Sequence, residues 1–353
     1  MPTISVQPFA AYKPRYPDVK WEPLQETPID DRGLAADPEL KELLSAAAKV
    51  NHMTRSIGTE IHGVDLKNLT DRQKDELALL VARRGVVFFR DQKFTIHEQL
   101  ALHRYFGPIH KHGFSAIPKA PGLEEVHVVY HDKTDPPAIY NGVSSKVELW
   151  HSDVSYELQP PGLTSLNILV GPEYGGDTMW SSGYGLYSSL SPGLQRYVEG
   201  LKAVHSGRDQ AQGMVDAKRP VRRWPVDTIH PVVRVHPVTG WKSIYVDPVF
   251  TTHIADVPKS ESLAILDYLY SQLSGNPELQ VRFKWAPGSV AIWDNRIVTH
   301  SAIHDYWPAT RHALRVITHG EKPMSVEEFE AQTGRKAKDR ASDDPILARQ
   351  TQG

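Results

Sequence analysis

The stretch SVAIWDNRIVTH, Ser289 to His300, decides how this chain is read. Its first half, Ser289 to Trp293, is a short apolar run rich in β-branched and aromatic residues, the composition of a buried strand. Its last residue, His300, is a candidate metal ligand. Working outward, similar runs lie at Ala313 to Thr318 downstream, and at Ser243 to Val246 and Val126 to Tyr130 upstream, separated by Gly and Pro turns. From about residue 125 to 320 this pattern predicts a mostly β core of the sandwich or jelly-roll type. Two helical interruptions, one opened by Ser191-Pro192 and one over about Ser260 to Leu273, are expected outside it, so the class is α+β.

The chain before this core is mixed. Leu40, Leu43, Leu44, Ala47 and Ala48 recur at helical spacing after a Pro-rich, charged opening. Thr70 caps a helix that stops before Gly85, and the all-apolar Val86 to Phe89 reads as a buried strand. Thr95 and Glu98 form a capping box for a helix ending at Gly107. The expected organisation is an extended arm with a short helix over 1–50, one jelly-roll domain with helical insertions over 51–328, and a polar tail over 329–353. The tail is expected to be a surface helix and a loose end.

Composition narrows the function. The 353 residues carry 40 basic and 42 acidic side chains, a formal net charge of −2, so no overall field draws the chain to nucleic acid or an anionic membrane. Small molecules are the expected partners, with self-association left open. Cysteine is absent, which excludes disulfides, thiolate metal sites, iron–sulfur clusters and cysteine nucleophiles. Any metal must sit on nitrogen and oxygen. Without an apolar leader at the N-terminus or a membrane-length apolar run, a cytoplasmic location is expected.

In WHSDVSY, Trp150 to Tyr156, His151 and Asp153 are two apart and would leave one face of a strand together. With His300 as third ligand they would form a 2-His-1-carboxylate triad, which occupies one face of an octahedral iron(II) and leaves the other positions open. In a chain with 17 histidines a His-x-Asp triplet arises about once by chance, so context has to carry the assignment. Other histidines, such as His52, His97 and His236, are expected on the surface or in structural roles.

The context is a series of blocks in order: GTEIHGVDL, GVVFFRDQ, YFGPIHKH, WHSDVSYELQPPG, GGDTMWSS, WDNRIVTH and RHALRV. From about Ile57 to Pro323 the sequence resembles the taurine/sulfonate dioxygenase family, which includes the aryloxyalkanoate dioxygenases. The resemblance implies a double-stranded β-helix core and an Fe(II)- and 2-oxoglutarate-dependent dioxygenase. It implies that His151, Asp153 and His300 hold the iron, and that Arg311 and Thr178 bind 2-oxoglutarate. Dioxygen would be the second co-substrate, and succinate and carbon dioxide the products. An Arg fork suits the distal carboxylate of 2-oxoglutarate and a Thr hydroxyl adds one donor.

Substrate recognition matches the family in part. The two residues that contact the sulfonate fall on Arg315 and His112. A family Tyr is replaced by Ser115 and a family Asn by Val147, which points to a bulkier or more apolar anion than taurine. Phe114, Tyr156 and Val147 would keep water from the reacting carbon. The expected reaction is oxidation of a C–H bond in a small anion, most simply an alkyl sulfonate or related sulfur compound. The same chemistry on a carboxylate or amino acid, giving hydroxylation, desaturation or ring closure, is the alternative within enzymes. A β-sandwich binding module with an incidental His-x-Asp is the alternative outside them. No HExxH helix supports a hydrolytic zinc site.

Overall fold

The computed structural model describes residues 9–135, 149–344 and 346–347. Ten strands and four helices position the candidate site: β1 (Lys49–His52), β2 (Thr59–His62), α1 (Asp71–Arg84), β3 (Val86–Phe89), α2 (Ile96–Phe106), β4 (His127–His131), β5 (Pro161–Val170), β6 (Thr178–Ser182), α3 (Lys259–Gly275), β7 (Gln280–Phe283), β8 (Val290–Asp294), β9 (Val298–Ala302), β10 (Arg311–His319) and α4 (Val326–Thr333). A seven-stranded sheet runs β1-β2-β3-β8-β5-β10-β4, and a three-stranded sheet runs β7-β6-β9. Every pairing in the two is antiparallel except β2 with β3.

The absence of alternation in Val86 to Phe89 follows from burial on both faces. Val87 and Phe89 pack with Leu77, Leu80 and Val81 of α1 in one core cluster. Val86 and Phe88 pack in another, which takes in Trp180 of β6 and Phe283 of β7 and so joins the two sheets. Phe88 stacks on Phe283 with ring centroids 4.1 Å apart. In β8 the division repeats: Val290 and Ile292 face α1, while Ala291 and Trp293 face the second sheet.

Local signals set the element ends. Thr70 and Gln73 form one capping box and Thr95 and Glu98 another, each contributing about 1 kcal/mol. Gly85 ends α1 at φ +75°, and a Cβ there would lie 2.7 Å from Val298 Cγ1. Only glycine lets the chain pass in one residue from α1 to the central strand β3.

The arm lies along the body. Thr27 and Gln159 exchange hydrogen bonds of 2.7 and 2.8 Å, and Arg32 pairs with Asp75 at 2.9 Å. The tail departs from the expected loose end. Beyond α4, Lys338 joins the backbone of Gly240 and Lys242, Trp241 Nε1 donates to Asp343 at 2.9 Å, and buried Arg340 donates to Asp344 at 2.8 Å. A buried guanidinium beside the Tyr184 and Trp241 rings holds the segment down, a contact that a polar composition does not reveal. Among the described residues no helix is long and apolar enough to cross a membrane.

Candidate active site

His151, Asp153 and His300 are brought together, each offering one ligand atom, and these atoms lie within 4.8 Å of one another. Asp153 Oδ1 is 3.6 Å from His151 Nε2 and 3.8 Å from His300 Nε2. Ligands at adjacent corners of an octahedron stand about 3 Å apart for bonds near 2.1 Å, so small side-chain adjustments would close this set on one ion. The local backbone differs from the strand expected for His151 and Asp153. His151 forms an isolated bridge with His300, their backbones exchanging bonds of 3.0 and 2.7 Å. Asp153 opens a turn, and the next residue, Val154, stands at φ +39°. A β-branched residue there is strained, and the surroundings must impose it.

Asn295 supplies much of that constraint. Its Oδ1 accepts from the Asp153 N–H at 3.2 Å and from Trp293 Nε1 at 3.1 Å. Its Nδ2 donates to Thr164 Oγ1 at 2.6 Å, while Ser152 Oγ donates to its carbonyl at 2.5 Å. On either side, Asp294 accepts from Arg296 at 2.6 and 2.7 Å and from His236 at 2.9 Å. Asp-Asn-Arg thus fixes both the loop that carries Asp153 and the turn that leads to His300.

The donor set suits a divalent cation on chemical grounds. His151 Nδ1 donates to the Leu149 carbonyl at 2.8 Å, which leaves the Nε2 lone pair for a metal. Asp153 Oδ2 is buried without a protein partner. Burial pushes the Asp153 carboxyl up, but Arg315, then His300 and His151, outweigh it and hold it well below the usual range. Burial, then the charge of His151, pushes His300 down to about 3. A carboxylate and a neutral imidazole are the forms that bind metal; burial lowers His151 too, but Asp153 and then the Leu149 carbonyl outweigh it and hold that imidazole above its usual value, so a metal ion would have to displace its proton.

Arg311 and Arg315 leave the same face of β10. Arg311 is 3% exposed and lies over the Trp285 ring, 6.0 Å from its centroid; among the described residues no carboxylate forms an ion pair with it. Trp285 Nε1 donates to Thr178 Oγ1 at 3.0 Å, so one indole ties the two candidate 2-oxoglutarate residues together. Gly175 and Gly176, at φ +75° and +71°, fold the chain onto Asp305, and a Cβ on Gly176 would meet Arg311 Cδ at 3.5 Å.

Arg315 is paired within the protein. Its Nη1 donates to Asp153 Oδ1 at 2.6 Å, and its Nε and Nη2 donate to His127 Nδ1, the first at 3.2 Å. His112 lies beside His127, ring centroids 5.3 Å apart, with its Nδ1 accepting from the Phe114 and Ser115 amides. Half-buried Ser115 also gives its carbonyl to Arg222. Phe114 and Tyr156 share an apolar cluster with Val154 and Phe250, and Phe250 reaches His151 at 6.0 Å. Val147 lies outside the described residues. A cavity of about 590 Å³ between Lys20–Glu26 and Trp224 touches none of the candidate ligands.

Comparison with known proteins gives one family. The model of the taurine catabolism dioxygenase TauD, TfdA family matches residues 49–317. An alpha-ketoglutarate-dependent sulfonate dioxygenase of Saccharomyces cerevisiae is 37% identical, covering 90% of this chain and 81% of its own length. A Schizosaccharomyces pombe protein with a name of the same type is 42% identical, covering 92% and 82%. A solved taurine dioxygenase from Burkholderia xenovorans superposes with a TM-score of 0.67 at 33% identity, covering 79% of this chain and 93% of the other.

Proposed function

The chain belongs to the taurine catabolism dioxygenase TauD, TfdA family, and from that premise we propose that it oxidises a C–H bond of a small organosulfonate. It is an Fe(II)- and 2-oxoglutarate-dependent dioxygenase. The two sheets that share one apolar core support reading its centre as a double-stranded β-helix. His151, Asp153 and His300 would hold the iron, which when bound would supply the coupling of oxidative decarboxylation of 2-oxoglutarate by dioxygen to oxidation of the substrate, with release of succinate and carbon dioxide.

The protein's share of the chemistry is binding and exclusion. Arg311 offers a two-point fork to the distal carboxylate of 2-oxoglutarate, Thr178 adds a hydroxyl, and Trp285 orients that hydroxyl. Arg315 and His112 meet the sulfonate, and Phe114, Tyr156 and Phe250 shield the reacting carbon from water. The observation that carries this reading is the convergence of the three ligand atoms with a guanidinium bonded to one of them. The names of the two fungal relatives support a sulfonate over other anions.

Succinate release tests it, measured with Fe(II), 2-oxoglutarate and dioxygen across alkyl sulfonates, sulfate esters, carboxylates and amino acids. Alkyl sulfonates are expected to give the highest kcat/KM, with one succinate formed per substrate oxidised. Turnover confined to carboxylates or amino acids would overturn the substrate reading and leave the dioxygenase in place.

A further inference from the structure

An Arg facing a buried carboxylate normally closes on it with two parallel N–H bonds, the strongest arrangement available to that pair. Arg315 does not. It gives Asp153 a single bond from Nη1, although Asp153 Oδ2 is buried and has no other protein partner. The cause lies on the opposite edge of the guanidinium, where Nε and Nη2 are both taken by His127 Nδ1. His127 and Arg315 are directly paired across β4 and β10, so the two side chains share a face and cannot separate without breaking the sheet. The next residue, Val128, points the other way into an apolar cluster, which fixes the side on which the imidazole stands.

We propose that His127 is a specificity-determining positioning residue: by holding one edge of Arg315, it prevents the guanidinium from closing on Asp153 and fixes the direction in which its remaining N–H bonds face the substrate oxyanion. Of the five guanidinium N–H bonds, three are used by Asp153 and His127. One on each Nη is left. Because Nδ1 accepts, the imidazole is neutral with its proton on Nε2, and burial and the charge of Arg315 favour that form. The same contact leaves one carboxylate oxygen of Asp153 clear of protein donors. An apolar residue at position 127 would release the Nε/Nη2 edge, and the fork would turn onto both oxygens of Asp153. The inference depends on the sulfonate reading only for which oxyanion arrives.

Two variants separate positioning from packing: His127→Phe fills the space and removes the acceptor, while His127→Gln keeps a carbonyl oxygen on a side chain of similar reach. The first measurement does not involve turnover. The Arg315 Nε–H signal in a ¹H–¹⁵N spectrum, identified by its absence in Arg315→Lys, is expected to be shifted and protected in the wild type. It should collapse toward free-guanidinium values in His127→Phe and be kept in His127→Gln. The second is kinetic, at saturating Fe(II), with hexane-1-sulfonate and heptanoate as probes. For whichever probe the wild type oxidises better, His127→Phe should raise KM about tenfold or more and leave the KM for 2-oxoglutarate within about twofold, and His127→Gln should recover most of the loss. If the wild type oxidises heptanoate alone, the sulfonate reading falls while the test of His127 proceeds on heptanoate. An unchanged Arg315 Nε–H signal in His127→Phe, or an equal loss toward both co-substrates, overturns the proposal.

Discussion

Replacing Arg311 by Met isolates one charge at nearly constant volume, and its consequence can be worked from the surroundings. The guanidinium is 3% exposed and, among the described residues, has no carboxylate partner, and burial holds its pKa below the usual Arg value. Its cation is already desolvated in the free enzyme, so a ligand carboxylate arriving there meets a donor fork that has little water left to lose. Leaving such a carboxylate unpaired costs roughly 2–5 kcal/mol, which at tenfold per 1.4 kcal/mol is about 30- to 4000-fold in affinity. Arg311→Met should therefore raise the KM for 2-oxoglutarate by at least about 30-fold, measured by succinate release at saturating substrate and Fe(II). Arg311→Lys should fall between, since it restores charge without the fork. The melting temperature should not fall, because the substitution removes a buried charge that, among the described residues, no carboxylate pairs with. A rise confined to the KM of the oxidised substrate would refute the assignment and move Arg311 into the substrate pocket.

Two further outcomes follow from the site and its surroundings. His151→Ala, Asp153→Ala and His300→Ala should each lose bound iron after dialysis, measured by metal analysis, and keep a wild-type circular dichroism spectrum; full iron occupancy in any of them would remove that residue from the ligand set. His103 is fully buried against Ser165 at 2.6 Å, and burial pushes it down to about 3. The unfolded chain takes up this proton below about pH 6.5 and the folded one does not until about 3, so stability falls as pH drops across that window. The loss is about 2 kcal/mol between pH 6.5 and 5. Urea midpoints should show it, and His103→Gln should flatten that part of the profile; an unchanged slope would place the pH sensitivity elsewhere.

The helices and the central strand were legible because their signals are local. Thr70, Gly85 and the capping box at Thr95 act within one turn of themselves, and Val86 to Phe89 is apolar throughout because both of its faces are covered. The docked end of the chain was not legible. Arg340 and Asp343 look like surface charge in a polar tail, and only the Trp241 and Tyr184 rings, distant in sequence, make that stretch a packed element.

The site divides along the same line, and the division explains which residues pattern alone misses. His151 and Asp153 are neighbours in the chain, and the ordered blocks around them brought in His300, Arg311 and Thr178. What holds these groups in place comes from pairings across long separations: Asn295 with Asp153, Trp285 with Thr178, and His127 with Arg315. Asn295 could have been suspected, because an amide inside WDNRIVTH, next to a charged pair and five residues from His300, has few solvent-facing reasons to be there. His127 could not, since His-Val-Val-Tyr-His reads as a strand of either orientation until its register against β10 is known. A one-residue slip of that register would turn His127 to the outer face and put Val128 against Arg315. The guanidinium would then be free to close on Asp153, so the pairing of β4 with β10 is itself a determinant of how the site presents its charge.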